Sequence, residues 1–132
     1  MQYINNLKGV LLEDLIPSFE ERGIDLNLER MQLALKAMEE PCKLIPAIQI
    51  AGTNGKGSIA SFINSCLQSL GIKAGITTSP HLITWCERIC INGETISPNE
   101  LEKILITLKP IIDDFKLTPF ESLIACAFDH FR

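Results

Sequence analysis

The chain has 132 residues, enough for one domain that buries about two-thirds of its unfolded surface. With 46% hydrophobic and 21% charged residues it reads as soluble and globular, which excludes a disordered chain. The net charge of −4 and the absence of any basic run exclude a general nucleic-acid binder, so an anionic ligand needs a local cationic site.

No apolar run reaches the roughly 18 residues of a membrane span. Met1-Gln2-Tyr3-Ile4-Asn5-Asn6 lacks the basic start and apolar stretch of a signal peptide. The expected location is the cytoplasm, with no membrane partner. Cys42, Cys66, Cys86, Cys90 and Cys126 lack metal-type spacing and read as small buried hydrophobes in a reducing compartment.

In chain order, residues 7–19 are apolar and read as a helix ending near Pro17. Gly23-Ile24-Asp25-Leu26 separates it from a second helix. There Leu28, Met31, Leu35 and Met38 recur at three- and four-residue spacing and share one face. Pro41 and Pro46 bracket a connector. Ala47-Ile48-Gln49-Ile50-Ala51 reads as a short buried strand, followed at once by a glycine-rich loop. Ile59, Phe62, Ile63, Cys66, Leu67 and Leu70 then repeat at helical spacing, and Gly71 closes that helix. Lys73-Ala74-Gly75-Ile76-Thr77-Thr78 reads as the next strand. Strand, loop, helix and strand make one βαβ unit, which implies a parallel sheet with a right-handed crossover.

Farther on, Arg88-Ile89-Cys90-Ile91 reads as a short strand and Asn92-Gly93 as a turn. Ser97-Pro98-Asn99-Glu100 is a capping-box pattern opening a helix that Pro110 is expected to kink or break. Thr118-Pro119-Phe120-Glu121 opens a last helix through Leu123, Ile124, Ala127 and Phe128. An α/β chain that stops on a helix is expected to lack the next strand of its sheet.

The loop Gly52-Thr53-Asn54-Gly55-Lys56-Gly57-Ser58 carries the chemistry. Phosphate oxygens are bound by backbone N–H groups, and glycines let the chain approach them and adopt positive φ. The following helix adds its positive dipole end. Lys56 supplies a point charge and Ser58 a hydroxyl able to reach magnesium. The spacing departs from G-x-x-x-x-G-K-[ST], because Gly57 stands between Lys56 and Ser58. The plain alternative is an ordinary glycine-rich βα turn. Three glycines, a lysine and a serine at five set positions arise by chance in about one start in a million, which favours phosphate binding.

This loop with its preceding Ala51, then Thr78-Ser79-Pro80-His81-Leu82, then Thr118-Pro119-Phe120-Glu121, resemble folylpolyglutamate synthase and dihydrofolate synthase, of the Mur-ligase superfamily. Glu87-Arg88-Ile89 and Ile91-Asn92-Gly93 are similar to the family as well, and the inserted Gly57 is the family's own form. The resemblance runs from about Gly23 to the C-terminus. It implies an α/β fold: a P-loop-type parallel sheet flanked by helices, truncated, as a partial Mur-ligase ATP-binding domain. Residues 1–132 then form a partial N-terminal ATP-binding domain. Within it, 1–46 is a helical lead-in and 47–132 the P-loop βα core and substrate-loop region, with the C-terminal domain absent.

The implied activity is ATP-dependent ligation of L-glutamate to dihydropteroate or tetrahydrofolate through an acyl phosphate. The implied cofactors are ATP and Mg2+, and the partners are those small molecules, with no nucleic acid and a monomer in full-length form. By resemblance Asn54, Gly55, Lys56, Gly57 and Ser58 hold ATP, and Ser79 is a magnesium ligand with Ser58 as a second hydroxyl. Thr118, Pro119, Phe120 and Glu121 line the pterin site. Lys56 is the one candidate for a direct part in the chemistry. Plain alternatives stand beside these roles. Ser79 fits a simple loop after a strand, the capping box fully explains Thr118 and Glu121, and Phe120 fits a core. Trp85 suits packing and substrate contact equally. His81 and His130 carry no expected catalytic role, and His130 is expected to be solvated.

Family members continue past this length with further metal ligands, a modified lysine and a second domain. Without those groups the chain alone is expected to have little or no ligase activity. A stand-alone P-loop nucleotide-binding module and an inactive remnant are the alternative readings.

Overall fold

The computed structural model describes residues 12–23 and 27–132, so the expected helix over 7–19 lies partly, and Ile24-Asp25-Leu26 wholly, outside the described residues. In chain order the elements are α1 (Leu12–Leu15), α2 (Phe19–Arg22), α3 (Glu29–Ala37), a 3-10 turn (Pro41–Lys43), α4 (Lys56–Ser69), β1 (Gly75–Thr77), a second 3-10 turn (Trp85–Arg88), β2 (Ile89–Ile91), β3 (Glu94–Thr95), α5 (Pro98–Asp114) and α6 (Pro119–Phe131).

The core forms where α5 and α6 pack together, with α1 and α3 against them. Along α5, Leu101, Leu105, Leu108 and Ile112 are buried at spacings that keep one stripe inward. Leu105, a fully buried side chain, costs about 2–5 kcal/mol when cut to alanine. From α3, Met31, Ala34 and Met38 join the core, whereas Leu28, expected on the same face, precedes the helix and is exposed. Arg22 fastens the far end of α5. Its Nη1 donates to the carbonyls of Ile112 (2.8 Å) and Leu117 (3.1 Å), and its Nη2 to Asp113 Oδ1 (2.9 Å).

Both long helices have the starts expected of them. The Ser97 hydroxyl accepts from the Glu100 amide. Thr118 and Glu121 make both arms of a capping box, each side chain bonded to the other's backbone N–H. The expected break at Pro110 does not occur, since α5 runs unbroken to Asp114. Proline deprives the Ile106 carbonyl of its helical donor. Pro110 and Ile106 are both exposed, so the lost bond lies on the solvent side of α5 while the buried stripe holds the helix together.

The sheet is antiparallel with order β1-β2-β3, pairing Gly75 with Ile91, Ile76 with Cys90, and Thr77 with Ile89. Asn92 and Gly93, with φ of 51° and 81°, join β2 to β3 as a two-residue hairpin turn. Phe131 crosses β1 so closely that a Cβ on Gly75 would lie 2.6 Å from its ring, which reserves that position for glycine.

The expected strand over 47–51 is not formed, and β1 takes β2 rather than that segment as its partner. Helix α4 forms as read, with Gly71 in a left-handed conformation after it, but buries no residue, and Ile59, Phe62 and Leu70 are exposed. These departures share one cause. A parallel strand is stable when covered on both faces. Nothing among the described residues forms the second layer that would cover 47–51 and the apolar stripe of α4. Cys66, on that helix, is exposed for the same reason, whereas Cys86 and Cys126 are buried as expected.

Candidate functional site

The glycine-rich loop meets α4 through backbone geometry that only glycine adopts without strain. Gly52 has φ 148° and Gly55 φ 76°, and Gly55 is the residue that starts the helix. The first helical bond runs from the Ile59 amide to the Gly55 carbonyl at 3.0 Å. The amides of residues 56–58 come before it and have no helical partner, and no side chain caps them. Lys56 folds back over the loop. Its Nζ donates to the carbonyls of Gly52 (2.7 Å) and Thr53 (3.2 Å), tying the ends of the turn together under a cation.

Gly57 behaves differently from its neighbours. Its φ is not positive, and a Cβ there would meet no atom within 4 Å. Nothing among the described residues requires glycine at that position. Asn54 and Ser58 are exposed, so the whole stretch faces outward at the positive end of a 14-residue helix.

A separate cleft of about 190 Å³ opens between the end of β1 and the start of α6, lined by Thr77, Thr78, Ser79, Arg88, Phe120, Leu123 and Ile124. It brings together Ser79 and Phe120, 41 positions apart in sequence, and none of residues 52–58 lines it. The other three residues expected beside Phe120 are buried in packing. Thr118 is 4% and Glu121 8% exposed, and Pro119 is fully buried. Glu121 accepts from the Thr118 amide (2.8 Å) and hydroxyl (2.7 Å) and takes Arg30 Nε at 2.9 and 3.1 Å. These bonds hold α6 to α3, and Phe120, 48% exposed, is the member of the motif that lines the cleft.

One wall of the cleft was not legible in the sequence. Arg88 is 9% exposed, its guanidinium 4.8 Å from the Trp85 ring centroid, and its Nε donates to His81 Nδ1 at 2.9 Å. Burial lowers the Arg88 pKa. His81 in turn lies 4.4 Å from Trp85, and Phe19 stacks on the same ring at 6.4 Å. Trp85 thus packs, and it also backs a cleft-lining cation. His130, expected in solvent, has a largely covered side chain with Nδ1 3.4 Å from Glu100. Among the described residues no group of three or more His, Cys, Asp or Glu is arranged to hold a metal, and no helix is long and apolar enough to cross a membrane.

No family model matches the chain. Individual proteins do. It is 40% identical over 115 residues to the dihydrofolate synthase/folylpolyglutamate synthase of Bacillus subtilis, covering 83% of this chain and 27% of that protein. The structure of Mycobacterium tuberculosis folylpolyglutamate synthase complexed with ADP superposes with a TM-score of 0.80 at 34% identity, over 86% of this chain and 27% of that one. A bifunctional folylpolyglutamate synthase/dihydrofolate synthase with Mn, AMPPNP and L-glutamate bound gives 0.73 at 31%, over 86% of this chain and 28% of that one. The chain therefore spans about a quarter of the length of the relatives it matches. Sequence and fold agree across that span: the chain belongs to the folylpolyglutamate/dihydrofolate synthase family, with a Mur-ligase-type α/β fold, and corresponds to its N-terminal part.

Proposed function

We propose that residues 52–58 bind the phosphates of ATP, as one part of an enzyme that ligates L-glutamate to dihydropteroate or tetrahydrofolate. The observation that carries this is Gly57. Its lack of any internal requirement is explained by a ligand outside the chain that needs the bare backbone close by. The unpartnered amides of residues 56–58 and the Lys56 ammonium then face the phosphate oxygens. Two solved relatives carry ADP or AMPPNP, which supports the same ligand here.

A divalent cation fits the donors present. Ser58 and Ser79 offer hydroxyl oxygens, the hard donor type Mg2+ takes, and the ion leans chiefly on substrate phosphates and water where carboxylates are few. When bound, such an ion neutralises charge on the transferring phosphoryl group. Phe120 and the apolar cleft wall suit a flat pterin ring, with Thr118, Pro119 and Glu121 shaping the site from beneath. Residues 1–46 serve as the helical lead-in and 47–132 as the P-loop core and substrate region. In the whole enzyme a substrate carboxylate oxygen attacks the γ-phosphorus as ADP leaves. The glutamate amino nitrogen then attacks the acyl carbon, loses its proton and expels phosphate. The chain by itself binds nucleotide and does not turn over.

Titration of a fluorescent ATP analogue with Mg2+ tests this. Saturable binding is expected, and Lys56→Ala loses about 2 kcal/mol, roughly 30-fold. Equal affinity of Lys56→Ala and the parent chain removes the lysine assignment. The exposed apolar stripe of α4 favours a second reading, an inactive remnant, which absence of any binding would support.

A further inference from the structure

Glu87 and Arg88 belong to the family-like sequence, yet neither lies in the phosphate loop nor at the start of α6. The Glu87 carboxylate accepts from three consecutive backbone amides, those of Leu82 (2.8 Å), Ile83 (2.8 Å) and Thr84 (2.7 Å). These bonds, that of Leu82 foremost, hold its pKa below the usual carboxylate range. Arg88 fastens the same loop at two more points. Its Nε donates to His81 Nδ1 at 2.9 Å, and its carbonyl accepts from the Thr78 amide at 3.2 Å. Thr78 and residues 81–84 are thus all tied down, and Ser79 lies between tied positions.

Apolar packing does not hold the tip of this loop. Leu82 and Ile83 are 92% and 82% exposed, so burial contributes almost nothing to their placement. The placement of the tip instead depends on charge-assisted hydrogen bonds to one carboxylate. The loop ends at Ser79, which lines the cleft. A serine hydroxyl is a weak, neutral metal ligand, and its value lies in being in place beforehand.

We propose that Glu87 is a positioning residue: it fixes the loop between β1 and the Trp85–Arg88 turn so that the Ser79 hydroxyl stays at the cleft as an oxygen ligand for a divalent cation bound with nucleotide. This rests on the metal–nucleotide reading of the site and assigns the acidic residue on which that ligand depends.

The test uses the full chain as parent, Glu87→Ala, Glu87→Gln and Ser79→Ala. A fluorescent ATP analogue is titrated in EDTA and again with Mn2+. In EDTA all four are expected to bind alike, because residues 52–58 are untouched. The Mn2+-dependent gain in affinity is expected to fall about tenfold in Glu87→Ala, in line with the cost of removing a group that orients a metal ligand. Glu87→Gln, which keeps an acceptor oxygen, is expected to fall between. The Glu87→Ala/Ser79→Ala double variant should lose no more than Ser79→Ala alone, because both act through one ligand. Amide exchange at residues 82–84 should rise in Glu87→Ala. A Mn2+ gain unchanged in Glu87→Ala overturns the proposal. So does loss of metal-free and metal-dependent binding together, since that is the mark of a general structural role. A parent chain that binds no nucleotide at all overturns the phosphate-loop reading, and this inference with it.

Discussion

Gly57→Ala separates folding from function at one methyl group. A Cβ at this position meets no atom within 4 Å and the backbone φ is not positive, so the folded chain accommodates it without strain. Residue 57 lies in the first turn of α4, where alanine is the better helix former. The expected gain is about 0.5–1 kcal/mol. With an unfolding entropy of about 2.1 cal/mol/K per residue, a chain of this size should melt about 2–4 °C higher. Binding should move the other way. A methyl between the backbone and a phosphate oxygen removes about one charge-assisted hydrogen bond, about 2 kcal/mol or roughly 30-fold in affinity. Urea unfolding and titration of a fluorescent ATP analogue read the two quantities on one sample. A variant that is more stable and binds as well as the parent refutes the argument that Gly57 serves a ligand. A variant that is strongly destabilised refutes the packing on which the argument stands.

Glu121→Gln should cost about 2 kcal/mol in urea unfolding, because the bond from Arg30 Nε, shared between the two carboxylate oxygens, loses its charge while both groups remain largely covered; a change below about 0.5 kcal/mol, the level of an ordinary surface substitution, would show that the pair does not hold α6 to α3. An aromatic disulfide reagent at pH 8 should label exposed Cys66 first and Cys126 only after denaturation, since burial pushes the Cys126 thiol up to about 12; labelling of Cys126 in the folded chain would contradict its burial. The same shift has a sign for stability. The folded pKa lies above the ordinary 9.0, so the contribution of Cys126 is complete below that pH and is lost as pH rises from there towards 12.

The parts of the fold readable from sequence are those set by near neighbours. The stripes of α5 and α6, the caps at Ser97 and Thr118 and the Asn92-Gly93 turn each depend on residues within a few positions. The glycine-rich loop was legible for the same reason, because its backbone geometry is written into seven consecutive residues. Strand pairing was not, because it is settled by which partner covers which face. Residues 47–51 have the composition of a strand yet have no ladder partner here, and β1 pairs with β2 in the antiparallel sense. The break assigned to Pro110 failed because the rule concerns one hydrogen bond, and that bond faces water while the opposite side of α5 is packed. In the site, the role of Glu121 turned on Arg30, 91 positions away, and the cation at the cleft wall on the stacking of Arg88 and Trp85. The Arg30 pair is long-range and has no local signature; Arg88 and Trp85 are near neighbours, and what the sequence does not show is the cleft they back, which forms against Phe120, Leu123 and Ile124.

The central claim is that the loop ahead of α4 holds the phosphates of a nucleotide. Amide chemical shifts of the 15N-labelled chain, followed while ATP and Mg2+ are added, test it at the residues concerned. The largest changes are expected at the amides of Gly55, Lys56, Gly57 and Ser58, saturating together and absent in Lys56→Ala. Shifts confined to the cleft around Phe120, or no shift at millimolar nucleotide, would contradict it.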